Sequence, residues 1–343
     1  MIGLAGIAVA AGVLRRYETS GEPVAAALPA GYLHGMRIVD SFALEETPDV
    51  ITVAPRVSFD PLGGFLVADS REAQVRRYST TGKLLSHFGS KGNGPKEFTH
   101  LSAALRTPGS NLLAIDMGGK AALFDASGEN LLWSRRLPVS PVHEAALLND
   151  TLVALAGRGL GAGRSSELVH LWNLRTGEPV RSFFRVPAHD PALASAYTLA
   201  GSSDIAVKGD TIAAVFALSD TLYLFDASGR PQRQIPIPFE HFRRITQHPP
   251  SGATIDAFRA WGESFSTISQ VYWAPSGGFL VEYYDMKGMD PQWRLLHMDT
   301  QGRRLSETAS GRLMAVDPGR NELYLADPAA PTLDRWIVAR LRD

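Results

Sequence analysis

One short pattern recurs along this chain. A large apolar or aromatic residue ends a β-rich run and is followed by a polar residue, two variable residues and glycine. It appears as Tyr78-Ser79-Thr80-Thr81-Gly82, Phe124-Asp125-Ala126-Ser127-Gly128, Phe225-Asp226-Ala227-Ser228-Gly229 and Met298-Asp299-Thr300-Gln301-Gly302. Trp172-Asn173-Leu174-Arg175-Thr176-Gly177 carries one extra residue. The chemistry is that of a hairpin: Asp or Asn accepts backbone N–H groups, and Gly takes the positive φ that other residues resist. Another β-rich run follows each turn, for example Lys83 to Phe88. A unit of this kind cannot bury its faces alone, so the recurrence implies an array of packed copies.

A second turn precedes each of these, near Asp60–Gly64, Thr107–Asn111, Asn149–Asp150, Lys208–Asp210, Ala274–Gly278 and Asp317–Asn321. Six such turns imply six units. The glycines Gly82, Gly128, Gly177, Gly229 and Gly302 lie 46, 49, 52 and 73 residues apart. Units of four short strands take about 40 to 50 residues, so the last interval holds an insertion, at about 239–266. Within it, Ala253 to Trp261 is expected to form a short amphipathic helix. The last unit runs out of chain after three strands. Met36 to Leu44, an orphan β-run, is expected to supply the fourth and leave no exposed edge.

The stretch Phe65–Phe98, with its strands, its turn at Ser79–Gly82 and its Gly-rich exit His87-Phe88-Gly89-Ser90-Lys91-Gly92-Asn93-Gly94, resembles an NHL repeat. The chain as a whole is similar to the NHL and TolB-like group. That resemblance implies an all-β fold: a six-bladed β-propeller of four-stranded blades over 36–343, closed by the N-terminal strand at about 36–44. It carries no catalytic meaning, because the Gly and Phe residues of the motif are structural.

Composition narrows the function only by exclusion. Charged residues are 20% of the 343 and the formal net charge is −1, so nothing points to a polyanionic partner, and nucleic acid is not expected. There is no cysteine, which rules out disulfides, thiolate metal sites and cysteine nucleophiles. No Gly-x-Ser-x-Gly elbow occurs. Ile2 to Leu14 is uncharged and apolar, too short to span a bilayer comfortably but suited to a signal peptide. Residues 1–16 therefore read as a signal peptide or anchor and 17–35 as a linker. The expected location is periplasmic or secreted, with membrane contact only through that anchor, and the expected state is a monomer.

In a propeller the innermost strands line a central channel and ligands bind at one mouth. Aligning those strands by their turns brings Arg56, His100, His143 with Glu144, Asp204, Gln270 and Arg312 toward the channel mouth. His100 and His143 fall at matching places in adjacent blades. Resemblance to zinc- and calcium-dependent propeller enzymes implies that His100, His143 and Asp204 could ligate zinc or calcium in a metal-assisted lyase or hydrolase. The more ordinary reading has no catalytic residue and no cofactor: a recognition or scaffold propeller for a protein, peptide or glycan. Phe242, Phe258 and Trp261 of the insertion are then contact candidates. Gly89–Lys96 lacks the Lys-Ser/Thr ending of a phosphate loop and reads as an inter-blade link. Gly157–Arg164 reads as a mobile hairpin tip.

Overall fold

The computed structural model describes residues 31–46, 55–159, 167–187, 190–251, 254–330 and 333–342. The expected leader, most of the linker and the tip of the 157–164 hairpin lie outside them. Six four-stranded antiparallel sheets follow one another. Blade I is Pro55–Phe59, Phe65–Asp69, Gln74–Tyr78 and Leu84–Phe88; blade II is Leu101–Arg106, Leu112–Asp116, Lys120–Phe124 and Leu131–Arg136. Blade III is Val139–Leu147, Leu152–Gly159, Glu167–Asn173 and Pro179–Arg185. Blade IV is Ser203–Lys208, Thr211–Phe216, Thr221–Asp226 and Pro231–Pro236. Blade V is Ser266–Trp273, Phe279–Lys287, Asp290–Met298 and Arg304–Ala309. Blade VI takes Leu313–Asp317, Glu322–Ala326 and Arg335–Leu341 from the C-terminus, and Met36–Ala43 as its outermost strand. The chain is thus a six-bladed β-propeller, closed by pairing Met36 with Leu341 through to Ala43 with Arg335.

The ring is held by six apolar layers, one between each pair of neighbouring blades. Blade I shows why. Along Phe65–Asp69 every residue is buried. Phe65 and Val67 enter the layer shared with blade VI, while Leu66 and Ala68 enter the layer shared with blade II. Successive side chains of a strand point to opposite faces, so a strand with a blade on either side reads as a continuous apolar run. The closing seam is packed with aromatic rings: the Phe65 ring lies 4.9 Å from Trp336 and 4.7 Å from Tyr324, and Phe42 of the N-terminal strand lies 5.6 Å from Trp336.

The recurring glycines have a second reason to be glycine. Gly128 has φ +85°, and a Cβ there would lie 2.5 Å from the Phe88 ring of blade I. Gly82 would drive a Cβ to 2.4 Å from the Ala43 carbonyl of the closing strand. The outer turn of one blade therefore rests on the outer strand of the blade before it. In the same turn, Asp125 Oδ1 accepts from the Gly128 N–H at 2.9 Å.

The insertion carries the expected helix, at Ile255–Gly262, with the Thr254 hydroxyl accepting from the Ala257 N–H. A second helix, Ala194–Ala200, joins blades III and IV. The sequence reading did not anticipate it, because seven residues with one buried side chain give too little periodicity to see. Its Tyr197 stacks on Phe216 at 5.4 Å. The Gly89–Lys96 segment is an inter-blade link, as read. Glu97 fills it, accepting from Gly94 N–H at 2.7 Å, and Ser90–Lys91 pairs in parallel with Glu97–Phe98.

Candidate functional site

The innermost strands run side by side around the axis, and four of the six carry a one-residue register irregularity in the same region. The skipped residues are Ser102 in blade II, His143 in blade III, Ser269 in blade V and Met314 in blade VI. A bulge re-aims the side chains beside it. Here it sets Glu144, Gln270 and the residues flanking Leu313 toward a common centre. Blades I and IV are regular in this region and offer Arg56 and Asp204.

Five blades thus place polar groups in one interacting set. Glu144 shares a hydrogen bond with Gln270 and feels the positive charges of Arg56 and Arg312. Asp204 Oδ2 accepts from the Val271 N–H at 2.7 Å across the blade IV–V gap. Glu282, on the second strand of blade V directly opposite Gln270, is fully buried. Its Oε1 accepts from the Leu313 N–H of blade VI, and Arg312 and Arg56 stand close enough to stabilise its charge. Tyr272 Oη donates to the Leu313 carbonyl at 3.3 Å. Beside the set runs a cavity of about 310 Å³, walled by Val57, Leu105, Ala145, Asp204, Gln270 and Ala315, one residue from each blade.

Burial dominates the electrostatics. It pushes Glu282 up to about 7 against the pull of Arg312. It raises Glu144 as well, opposed first by Arg56. Asp204 is raised well above the carboxylate range, by burial and then by the neighbouring Glu144 charge. His143 moves the other way, down to about 4, because it is half-buried and faces Arg56 and Arg158. Arg312 is lowered by burial and by Arg56. Buried like and unlike charges around one axis leave the carboxyl groups proton-bearing well above their usual range.

The sequence-predicted residues divide. Arg56, His143, Glu144, Asp204, Gln270 and Arg312 belong to the axial set. His100 does not: its side chain is exposed, while its backbone N–H donates to Asp116 Oδ2 at 2.9 Å. Among the described residues no group of three or more His, Asp or Glu is placed to hold a metal, so His100, His143 and Asp204 are not assembled as a ligand set. His100 lies in an exposed bend ahead of the first strand of blade II, held there by the Asp116 carboxylate. Of the insertion aromatics, Phe242 stacks on Phe239 at 4.5 Å and Trp261 lies 5.0 Å from Phe265 with Nε1 donating to the Gln247 carbonyl; both pack on the propeller. Phe258 is 42% exposed. Glu282 and Tyr272 escaped the sequence reading. The signal for Glu282 was its position, a lone carboxyl inside the apolar run Phe279-Leu280-Val281-Glu282-Tyr283.

No family model matches the chain, and no curated protein matches it. Solved structures do. A "putative exported protein" of Bacteroides fragilis superposes with a TM-score of 0.61 at 15% identity, over 92% of this chain and 97% of that one. A member of the DUF4221 family from Bacteroides vulgatus gives 0.64 at 10% identity, over 90% and 97%. At such identities the likeness is one of fold. Among the described residues no helix is long and apolar enough to cross a membrane. The chain therefore shares its fold with these two Bacteroides proteins over about nine-tenths of its length.

Proposed function

We propose that the chain is a recognition propeller that works outside the cytoplasm as a monomer and takes a protein, peptide or glycan at the channel mouth. The observation that carries this reading is the convergence of Arg56, Glu144, Asp204, Gln270 and Arg312 beside a cavity of about 310 Å³. That volume is at the small end of ligand pockets, so it suits one side chain or one sugar unit of a larger ligand. Acceptors on Glu144 and Asp204 and donors on the arginines match hydroxyl, amide and ammonium groups. Placement with the NHL and TolB-like propellers is supported by the Phe65–Phe98 motif. Export is supported by the apolar run Ile2–Leu14 and by the fold shared with the B. fragilis protein.

The test is a screen of glycan and peptide arrays, followed by titration calorimetry on each hit. Glu144→Ala and Gln270→Ala are expected to weaken a true ligand at least about tenfold, since each removes one partner of the Glu144–Gln270 hydrogen bond. Hits whose affinity ignores both variants overturn the axial site.

A metal-assisted lyase or hydrolase at the same axis is the second reading. It is favoured only by the convergence of the Glu144, Asp204 and Glu282 carboxyl groups at one place; their raised proton affinity suits acid–base chemistry and opposes metal ligation. Elemental mass spectrometry of the purified chain decides it. One equivalent of zinc or calcium, lost in His143→Ala/Asp204→Asn, establishes the metal centre; no bound metal retires it.

A further inference from the structure

We infer that the groove at the end of blade VI, where the two chain-end strands pair, docks on the phosphate headgroups of an anionic lipid surface. This inference is independent of what the axial site binds. The groove has a volume of about 520 Å³ and is walled by Arg37, Arg320, Asn321, Arg340, Leu341 and Arg342. Arg37 and Arg340 are direct partners across the outermost strand pair. Such partners hold their Cβ atoms about 5 Å apart on one face, and like charges placed so repel. Arg342, two residues beyond Arg340, returns to the same face, and its N–H donates to the Gly35 carbonyl at 3.1 Å. Arg320 reaches in from the turn between the first two strands.

Two of the four charges are answered within the blade. Arg340 Nη2 meets Glu322 Oε1 at 2.7 Å, and Arg320 Nε lies 3.8 Å from Asp317 Oδ2. Arg37 and Arg342 have no ion pair among the described residues, and Arg340 Nε is buried without a hydrogen-bond partner. A local surplus of positive charge therefore sits on a chain of net charge −1. Guanidinium groups in this arrangement present paired donors to phosphate oxygens.

The neighbouring surface argues for a membrane over a soluble anion. Val39, two residues beyond Arg37 on the same outer strand, is 38% exposed. The uncharged run Ile2–Leu14 lies upstream of that strand, so a membrane-associated N-terminus would keep blade VI within reach of a bilayer. A short apolar segment joined to a basic patch is the two-signal arrangement that gives stable peripheral binding. Asp343, the next residue after Arg342, lies outside the described residues, so Arg37 and Arg320 carry the test.

The experiment is co-sedimentation of the full chain with phosphatidylcholine vesicles, with and without phosphatidylglycerol. The wild type is expected to prefer the anionic vesicles and to lose that preference as salt rises. Arg37→Gln/Arg320→Gln, both at exposed positions, is expected to lower the partition onto anionic vesicles roughly 25-fold, about fivefold for each arginine removed. Binding to neutral vesicles, which reports the apolar run alone, is expected to stay unchanged. An unaltered thermal unfolding curve shows that the variant is folded; if it is not, Arg37→Gln alone is expected to give the single fivefold step. Equal partition of wild type and variant, or no gain from phosphatidylglycerol, overturns the proposal. So does calorimetric binding of inorganic phosphate, lost in the variant, by a chain that ignores anionic vesicles; that result assigns the groove to a soluble oxyanion.

Discussion

Asp60 and Arg106 join blade I to blade II through a two-pronged ion pair: Arg106 Nε meets Asp60 Oδ1 at 2.6 Å and Nη2 meets Oδ2 at 2.7 Å. Both side chains are almost wholly buried, and Arg106 Nη1 also donates to the Ser110 carbonyl at 2.6 Å. Removing Arg106 leaves the buried Asp60 carboxylate with only the Arg77 guanidinium, 4.0 Å away, to answer it. Arg106→Met is expected to lower stability by about 3 to 5 kcal/mol, and the double change Asp60→Leu/Arg106→Met to recover much of that. Urea unfolding of the three proteins measures it. A double variant no better than the single one would show that the pair contributes through geometry beyond its charges.

Ring closure is the second place where few residues carry much. Trp336 is fully buried among Phe65, Phe42 and Tyr324 at the seam of blades VI and I. Trp336→Ala is expected to cost about 3 to 5 kcal/mol. Deleting residues 36–43 exposes the edge of Arg335–Leu341, so size-exclusion chromatography is expected to show self-association of that variant.

The glycine of an outer turn answers a sharper question. Gly128→Ala must meet both a positive φ and the Phe88 ring, whereas Gly209, with φ +54°, has nothing within 4 Å of a Cβ. The first substitution is expected to destabilise by several kcal/mol and the second by about 1 kcal/mol. Thermal melts of the two variants compare them directly, and equal losses would mean that close approach adds nothing to conformational strain.

Stability is expected to fall with rising pH across the range set by Glu282. Its pKa rises from an ordinary 4.5 to about 7 on folding, so the folded chain holds a proton that the unfolded chain releases. The corresponding stability is fully present below about 4.5 and is lost as pH rises through about 7, a change of roughly 3 kcal/mol. Glu144 and Asp204, raised for the same reason, slope the same way. His143 slopes oppositely, its neutral form favouring the folded state above 6.5 and that gain being lost toward about 4. The difference between wild type and Glu282→Gln isolates the carboxyl. Urea unfolding at pH 5 and pH 7.5 is expected to show a smaller loss in the variant, and an identical loss in both proteins would mean that Glu282 is ionised throughout.

Turn chemistry and spacing belong to the sequence, because a hairpin is a local object. The outer glycines, the inner turns and the orphan run at Met36 are enough to count six blades and to pair the chain ends, and the helix at Ile255–Gly262 follows from its own pattern. Inner-strand alignment brought Arg56, Glu144, Asp204, Gln270 and Arg312 to the axis to within a residue. What it missed depends on contacts between blades. Bulges at Ser102, His143, Ser269 and Met314 are irregularities of pairing, and nothing in the composition of a single strand announces them. His100 and His143 occupy matching places in sequence, yet one is exposed and the other half-buried beside two arginines. Glu282 joins the axial set only because blade VI supplies the Leu313 N–H to it. Local propensity thus determined how many blades form and where each turns. Only the closed ring decided which side chains meet at its centre, because burial and neighbouring charge are properties of the assembled blades.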